Sequence, residues 1–354
     1  MDGHRRTRPR RRRTLPGRRP PRQRPRGPAA RLQLLPHRRV LPPRRPRERP
    51  RGPSPVRALA RELRGGRRPD GHPRPGPAHP LPGHHPARVP LPRRRQRRPR
   101  PTIVFTSGFD STLEESYFAL AAAAVRRGYH VLAYDGPGQG AALREQHLVF
   151  RPDWEAVATP VIDHALTRPE VDPKRLVLFG YSLGGYLAAR AGAHDHRPAA
   201  LVLDDGLYSY GQAHDRFLPP FLRDLVHGGH DDLADAVLGL LMEHSTQLRW
   251  ALRNGVWTFG ATGPADYLRR TAPYTLEGHA PLITCPTLVL DAENDQFFQG
   301  QPHQVQAALT CPHTLLTLTE AEGAGEHCHM GAMARLHQSV FDWLDTTLPH
   351  TTTP

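Results

Sequence analysis

From Pro101 onward, short apolar runs alternate with amphipathic or alanine-rich stretches. Thr102–Thr106 is a β-branched apolar run closed by Ser107-Gly108, and Leu113–Arg127 follows as an alanine-rich helix stopped by Gly128. His130–Tyr134 reads as a second strand, broken by Asp135-Gly136-Pro137-Gly138, and Trp154–Thr167 carries apolar residues at helical spacing. Arg175–Phe179 predicts a third strand, Leu183–Ala193 a helix and Ala200–Leu203 a fourth strand. Thr287–Leu290 and His313–Leu318 predict two more strands, and Gly331–Leu344 a closing helix. Continuous apolar strands alternating with helices predict an α/β fold, a mostly parallel sheet with helices on both faces. One stretch breaks the alternation. Phe217–Leu276 holds helical segments at Pro219–Leu225, Asp232–Met242, Thr246–Asn254 and Pro264–Arg270 and no convincing strand. It predicts a helical cap over about residues 207–280, beside the strand ends where such sheets place their sites.

Before Pro101 the pattern fails, and composition says why. Residues 1–100 hold 33 Arg, 23 Pro and only 4 acids, with no Phe, Trp, Tyr, Lys or Cys. Such a stretch cannot bury enough apolar surface to offset the entropy of ordering it, so it predicts a disordered segment. The chain's net charge of +16 is therefore the sum of +29 in this segment and −13 in residues 101–354. The apolar runs fall far short of a membrane span, and no apolar h-region follows the basic start, so neither a membrane nor a secretory protein is expected. Cys285, Cys311 and Cys328 show no metal-knuckle spacing and fit a reducing cytoplasm.

Chemistry concentrates at Gly180-Tyr-Ser182-Leu-Gly184, a Gly-x-Ser-x-Gly turn between a buried strand and an alanine-rich helix. Small flanking residues are needed there because the serine sits on a sharp, strained turn. That turn lifts the Ser182 Oγ above the sheet as a nucleophile and aims the Leu183 N–H at an oxyanion.

These features resemble an α/β-hydrolase, whose chain order is nucleophile, acid, base. The resemblance places the acid in the loop after Thr287–Leu290, at Asp295 rather than Asp291 or Glu293, and the base at His327 in the glycine-rich run Glu322–Met330. His329 is expected to be a structural residue at the start of the last helix, and a metal site from His327, Cys328 and His329 is disfavoured. The second oxyanion donor is expected at the Phe109 N–H. The strings Gly108-Phe-Asp-Ser-Thr-Leu-Glu-Glu115 and Asp135-Gly-Pro-Gly-Gln-Gly140 are similar to the group of dihydroxypseudooxynicotine hydrolase, the fungal heptaketide chain-shortening hydrolases and the fermentation/respiration-switch-like proteins. In the first of these a glutamate at the position of Asp110 takes part in catalysis. Asp110 is one methylene shorter, so an auxiliary catalytic role and a helix cap near Leu113 both stay open.

The resemblance implies a serine hydrolase acting on a small molecule, its bond an ester, another acyl bond or a C–C bond; the sequence itself shows no sign of a cofactor or metal, and its cysteine usage points to the cytoplasm. A homodimer is compatible with this reading. The competing class, nucleic-acid binding through the Arg-rich segment, has charge but no stacking aromatics, so contact with nucleic acid is expected to be non-specific. Asp204-Asp205-Gly206 is expected to end a strand at the active-site face and to serve a turn, with contact of one carboxylate to substrate as the alternative; His194, His196 and His230 are expected to be surface residues, and Trp250, Trp257, Phe259 and Tyr267 to pack the cap or line a pocket. Two strands that such a fold needs before Pro101 are not readable, which would leave His130–Tyr134 as a sheet edge. Arginine–proline bias without lysine is what GC-rich DNA encodes in an unintended frame. Read one base off, the segments Leu32–Pro43 and His84–Arg97 can be written as family-like strings. Residues 1 to about 97 are therefore read as an out-of-frame translation.

Overall fold

The computed structural model describes residues 88–90 and 99–348, with only the backbone path given for the first three. The expectation for residues 1–100 thus falls almost entirely outside the described residues. Seven strands form one sheet: β1 Arg88–Pro90, β2 Arg100–Thr106, β3 His130–Tyr134, β4 Val171–Tyr181, β5 Ala200–Asp204, β6 Thr287–Ala292 and β7 His313–Leu318. Their spatial order is β1-β3-β2-β4-β5-β6-β7. β2 through β7 run parallel, whereas β1 pairs antiparallel with β3, Val89 facing Ala133. This corrects the expectation that no strand precedes Pro101. His130–Tyr134 is not the edge among the described strands, because hydrogen bonding along a backbone needs no particular side chains and even an Arg-Val-Pro stretch can supply it on an edge.

Both faces of the sheet are covered, which is why its central strands are apolar throughout. On one face lie α3 (Glu155–Leu166) and α4 (Leu183–His194), preceded in the chain by α1 (Ala122–Arg126) and α2 (Gly140–Gln146). Val157, Val161 and Ile162 of α3 and Leu187 of α4 are buried against Val104, Leu178 and Leu203. On the other face Leu120 and Ala124, in the turns of α1 and just before it, join Leu336, Val340 and Phe341 of the last helix, Met333–Thr347, over Ile103, Phe105, Val177 and Phe179. α4 can lie across the middle of the sheet because Gly184, Gly185, Ala188, Ala189 and Gly192 let its axis come close.

The helical cap forms as expected, between β5 and β6. It consists of α5 (Tyr210–Asp215), α6 (Pro220–His227), α7 (Asp231–His244), α8 (Thr246–Thr258) and α9 (Pro264–Arg270). Its neck closes where Tyr210 N–H donates to Tyr274 O and Leu276 N–H to Tyr208 O, at 2.9 and 2.8 Å. α10 (Gln301–Ala308) and α11 (Met333–Thr347) complete the fold. No helix among the described residues is long and apolar enough to cross a membrane. The helix expected from Leu113 starts at Glu115 and passes into a π-helical turn at Tyr117–Ala121. Asp110 therefore caps nothing, and the Leu113 N–H is bound instead by Asp135 Oδ1 at 2.8 Å.

Candidate active site

β3 lies on one side of β2 and β4 on the other, so the loops leaving the carboxyl ends of β2 and β4 diverge and open a crevice. Ser182 stands at that point, between β4 and α4, with φ 59° and ψ −125°. A Cβ on Gly180 would lie 2.0 Å from Gly184 O, and one on Gly184 would lie 2.3 Å from Thr106 O. Neither position tolerates a side chain, which is the steric reason for the Gly-x-Ser-x-Gly pattern.

The three residues expected to form the triad come together. His327 Nε2 is 2.9 Å from Ser182 Oγ, and His327 Nδ1 is 2.9 Å from Asp295 Oδ2. Asp295 Oδ1 accepts the N–H groups of Phe297 and Phe298 at 2.7 and 3.1 Å, while both phenyl rings stand edge-on to the imidazole, 4.9 and 5.1 Å away. Burial disfavours charge on Asp295, yet the bonds to His327, Asp205 and Phe297 outweigh it and hold the carboxyl down near 2. Burial likewise opposes charge on His327, but Cys328 and the carboxyls of Asp205 and Asp295 raise the imidazole well above its ordinary value. Asp291 and Glu293 are engaged elsewhere: Asp291 accepts from Thr317 Oγ1 and Glu293 from the Glu320 N–H.

Gly108 touches the nucleophile. A Cβ there would lie 2.8 Å from Ser182 Cβ and 2.9 Å from Tyr181 O, so the Phe109 amide follows directly beside Ser182. The loop is latched from two directions. Gln139 Nε2 donates to the carbonyls of Ser107 and Gly108 at 2.6 and 3.1 Å, while its Oε1 accepts the Gly136 N–H. From the cap, Asn254 Nδ2 donates to Phe109 O at 3.4 Å, and the Phe109 ring packs among Tyr210, Trp250, Phe259 and Tyr267. The paired strings around Phe109 and Gln139 thus form one mechanical unit. Gln139 was not singled out in the sequence, although its place in Asp135–Gly140 was the available signal.

Asp110 lies exposed beyond Phe109. Crowding by neighbours raises its carboxyl pKa, against the pull of its own backbone N–H and of His327. Of the cap aromatics, Phe259 and Tyr267 are buried, while Trp250 and Trp257 are half-exposed and, with Thr246, Arg249, Arg253 and Asn254, line a cavity of about 390 Å³.

Two sequence expectations need correction. Asp204 and Asp205 do stand at a strand end on the active-site face, but rather than serving a turn they are fully buried. Asp204 O accepts the Ser182 N–H at 2.5 Å, and Asp205 Oδ2 lies 2.9 Å from His327 Nδ1. A strand end facing a glycine-rich helix leaves no room for solvent, so these carboxyls turn inward to the two histidines. His329 does not begin the last helix, which starts at Met333, but it is structural. It is fully buried, shares a hydrogen bond with Ala324 O at 2.8 Å and lies 3.3 Å from Asp204 Oδ1, without hydrogen-bond geometry. Burial lowers its pKa, but Asp204 and Asp205 outweigh that and carry it to about 9. Asp205, His327 and Cys328, and likewise Asp204, Asp205 and His329, group metal-ligating atoms within 4.8 Å. His327 already faces the Asp295 carboxylate and His329 already faces Asp204, so each histidine has an acidic partner without an ion.

A family model described as the α/β hydrolase family matches residues 103–338. The chain belongs to that family. It is 36% identical over 259 residues to the hydrolase LUC6 of Fusarium sp., covering 70% of this chain and 62% of the relative. It is also 36% identical over 276 residues to the 20-hydroxy-prefusarin hydrolase FUS2 of Gibberella moniliformis, covering 74% and 66%. The chain spans under two thirds of the length of these relatives. Among solved structures, 2,6-dihydroxy-pseudo-oxynicotine hydrolase matches with a TM-score of 0.58 at 20% identity, over 74% of this chain and 64% of that one. This last likeness is one of fold, and it agrees with the group identified from the strings around Phe109 and Gln139.

Proposed function

We propose that this α/β-hydrolase is a cytoplasmic serine hydrolase that cleaves an ester or other acyl bond of a small molecule. The observation that carries the reading is the continuous relay Ser182 Oγ, His327 and Asp295, with both links at 2.9 Å. His327 Nε2 takes the proton as Ser182 Oγ attacks the carbonyl carbon, and Asp295 holds the imidazole in the tautomer that makes this feasible and balances the imidazolium. The N–H groups of Phe109 and Leu183 receive the developing oxyanion. His327 then returns the proton to the leaving group, and water, activated by the same imidazole, frees the acyl group from Ser182. A fluorophosphonate probe should label the full chain and not Ser182→Ala, and the variant should lose p-nitrophenyl ester hydrolysis by at least about 10³-fold. Failure to label the wild-type chain would overturn the reading.

A second reading is C–C bond hydrolysis on a polyketide-like or β-diketone substrate. It is favoured by the raised pKa of Asp110, a carboxyl at the site that senses the charge of His327. A carbanion leaving group needs a proton, and desolvation makes the Asp110 carboxyl a better proton carrier than an ordinary aspartate. The fungal relatives, among them one named for 20-hydroxy-prefusarin, fit substrates of this kind. Asp110→Asn should lower C–C cleavage at least about tenfold while sparing activated esters, and equal loss on both would remove this reading.

A further inference from the structure

We propose that Asp205 is a positioning residue for His327, a second carboxyl held at ion-pair distance from the imidazole Nδ1 that is hydrogen-bonded to Asp295. The inference rests on the serine-hydrolase reading of the site and goes beyond it. Asp205 Oδ2 and Asp295 Oδ2 each lie 2.9 Å from His327 Nδ1, although they come from different strands. Asp295 is set by the loop after β6. Asp205 is set by the end of β5, where the preceding carbonyl, Asp204 O, accepts the Ser182 N–H and a Cβ on Gly185 would lie 2.0 Å from Asp205 O. Asp205 Oδ2 also accepts the Cys328 N–H at 3.0 Å, the residue after the base. The Asp205 carboxyl thus meets both the ring and the backbone of the base's loop, while the backbone on either side of it packs against the nucleophile's turn.

Two carboxyls on one proton donor cannot both ionise cheaply when water is excluded. The groups facing Asp205 are His327, Cys328, Asp204, His329 and Asp295, and the His329–Asp204 pair is balanced within itself. Burial raises Asp205 to about 7, against the opposing pull of His327, and Asp204 and Asp295 add to the rise. Of the two carboxyls, Asp295 therefore carries the larger share of the negative charge and Asp205 the smaller, because Asp205 binds a proton more readily. Removal of the Asp295 charge removes the repulsion, Asp205 ionises, and the base keeps an anionic partner at the same distance.

The arrangement predicts redundancy where a single-acid triad has none. In such a triad, replacing the acid by its amide costs about 10⁴-fold in kcat. In the full chain, Asp295→Asn should retain p-nitrophenyl ester hydrolysis within about 30-fold of wild type, and Asp205→Asn/Asp295→Asn should fall by more than about 10³-fold. Asp205→Asn alone should shift the acid limb of kcat/KM to lower pH by about one unit, and the His327 ring resonances, assigned with His327→Gln, should titrate at correspondingly lower pH. A merely structural role would leave that titration in place. Asp295→Asn as inactive as the double variant, or an unmoved His327 titration in Asp205→Asn, overturns the assignment. Were Asp205→Asn to fold poorly, Asp295→Asn, with Asp205 intact, decides alone. If wild type takes no fluorophosphonate, the hydrolase reading fails while the His327 titration still judges Asp205.

Discussion

Gly108→Ala tests whether the loop after β2 builds half of the oxyanion site. The added methyl would sit 2.8 Å from Ser182 Cβ, 2.9 Å from Tyr181 O and 3.2 Å from Ser182 Oγ. Two of these neighbours belong to the rigid turn between β4 and α4, so relief must come from the loop itself. Restoring carbon–carbon contact to about 3.5 Å requires a movement of about 0.7 Å, which carries the Phe109 N–H away from the place where charge develops. Gln139, Asn254 and the ring cluster around Phe109 resist that movement, so the strain is shared with the fold. Loss of one oxyanion donor costs about 10² to 10³ in kcat, roughly 3–4 kcal/mol of transition-state stabilisation. Overpacking at such a contact adds about 1–3 kcal/mol of destabilisation. The assay is steady-state hydrolysis of p-nitrophenyl esters, with urea unfolding to confirm that the variant is folded. The expected result is a kcat lowered by about 10²-fold or more with KM little changed. A folded Gly108→Ala with kcat within about threefold of wild type would refute the reasoning, because the loop could then not be in contact with the nucleophile.

Three further outcomes follow from buried polar groups. The Tyr134 hydroxyl accepts the Trp154 Nε1–H at 2.9 Å and meets Thr106 Oγ1 at 3.0 Å, all three residues being buried. Tyr134→Phe leaves the indole N–H without this acceptor and should cost about 1–3 kcal/mol in urea unfolding; no change in the unfolding midpoint would count against the bond. Burial raises Asp135 from 3.8 to about 6 against its bonds to the Ala141 and Leu113 N–H groups. The folded state then binds that proton more tightly than the unfolded one. Its contribution, on the order of 3 kcal/mol, is present below pH 3.8 and lost as pH rises through about 6. The stability of wild type relative to Asp135→Asn should therefore shrink between pH 4 and 7, and a pH-independent difference would contradict the assignment. Finally, His327 must be neutral to accept the Ser182 proton, and its neighbouring carboxyls hold its pKa up against burial. The acid limb of kcat/KM should accordingly lie above pH 6.5, and a limb below 6 would show that the carboxyls do not act on the imidazole.

Local physics made much of this protein legible before folding. Short runs of four to six residues, mostly apolar, marked β2 through β7, and an insertion without strands marked the cap, because strand and helix periods are properties of neighbouring residues. Ser182 and Leu183 were readable because the turn that exposes a nucleophile demands glycines at fixed offsets, and a Cβ on Gly180 or Gly184 would lie 2.0 or 2.3 Å from a backbone oxygen. Asp295 and His327 were placed by chain order rather than by any local rule. What only the tertiary structure decided are relations between strands. β1 was invisible because pairing through the backbone leaves no mark in side-chain pattern. The start of the helix after β2 was misplaced because Asp135, just past β3, binds the Leu113 amide. Asp205 looked like a turn residue because nothing in Asp-Asp-Gly reveals that α4 seals the end of β5, or that a histidine 122 positions later closes on its carboxyl at 2.9 Å. Burial and long-range charge are set by the packing of whole elements, and it is packing that turned two solvated-looking aspartates into partners of two histidines.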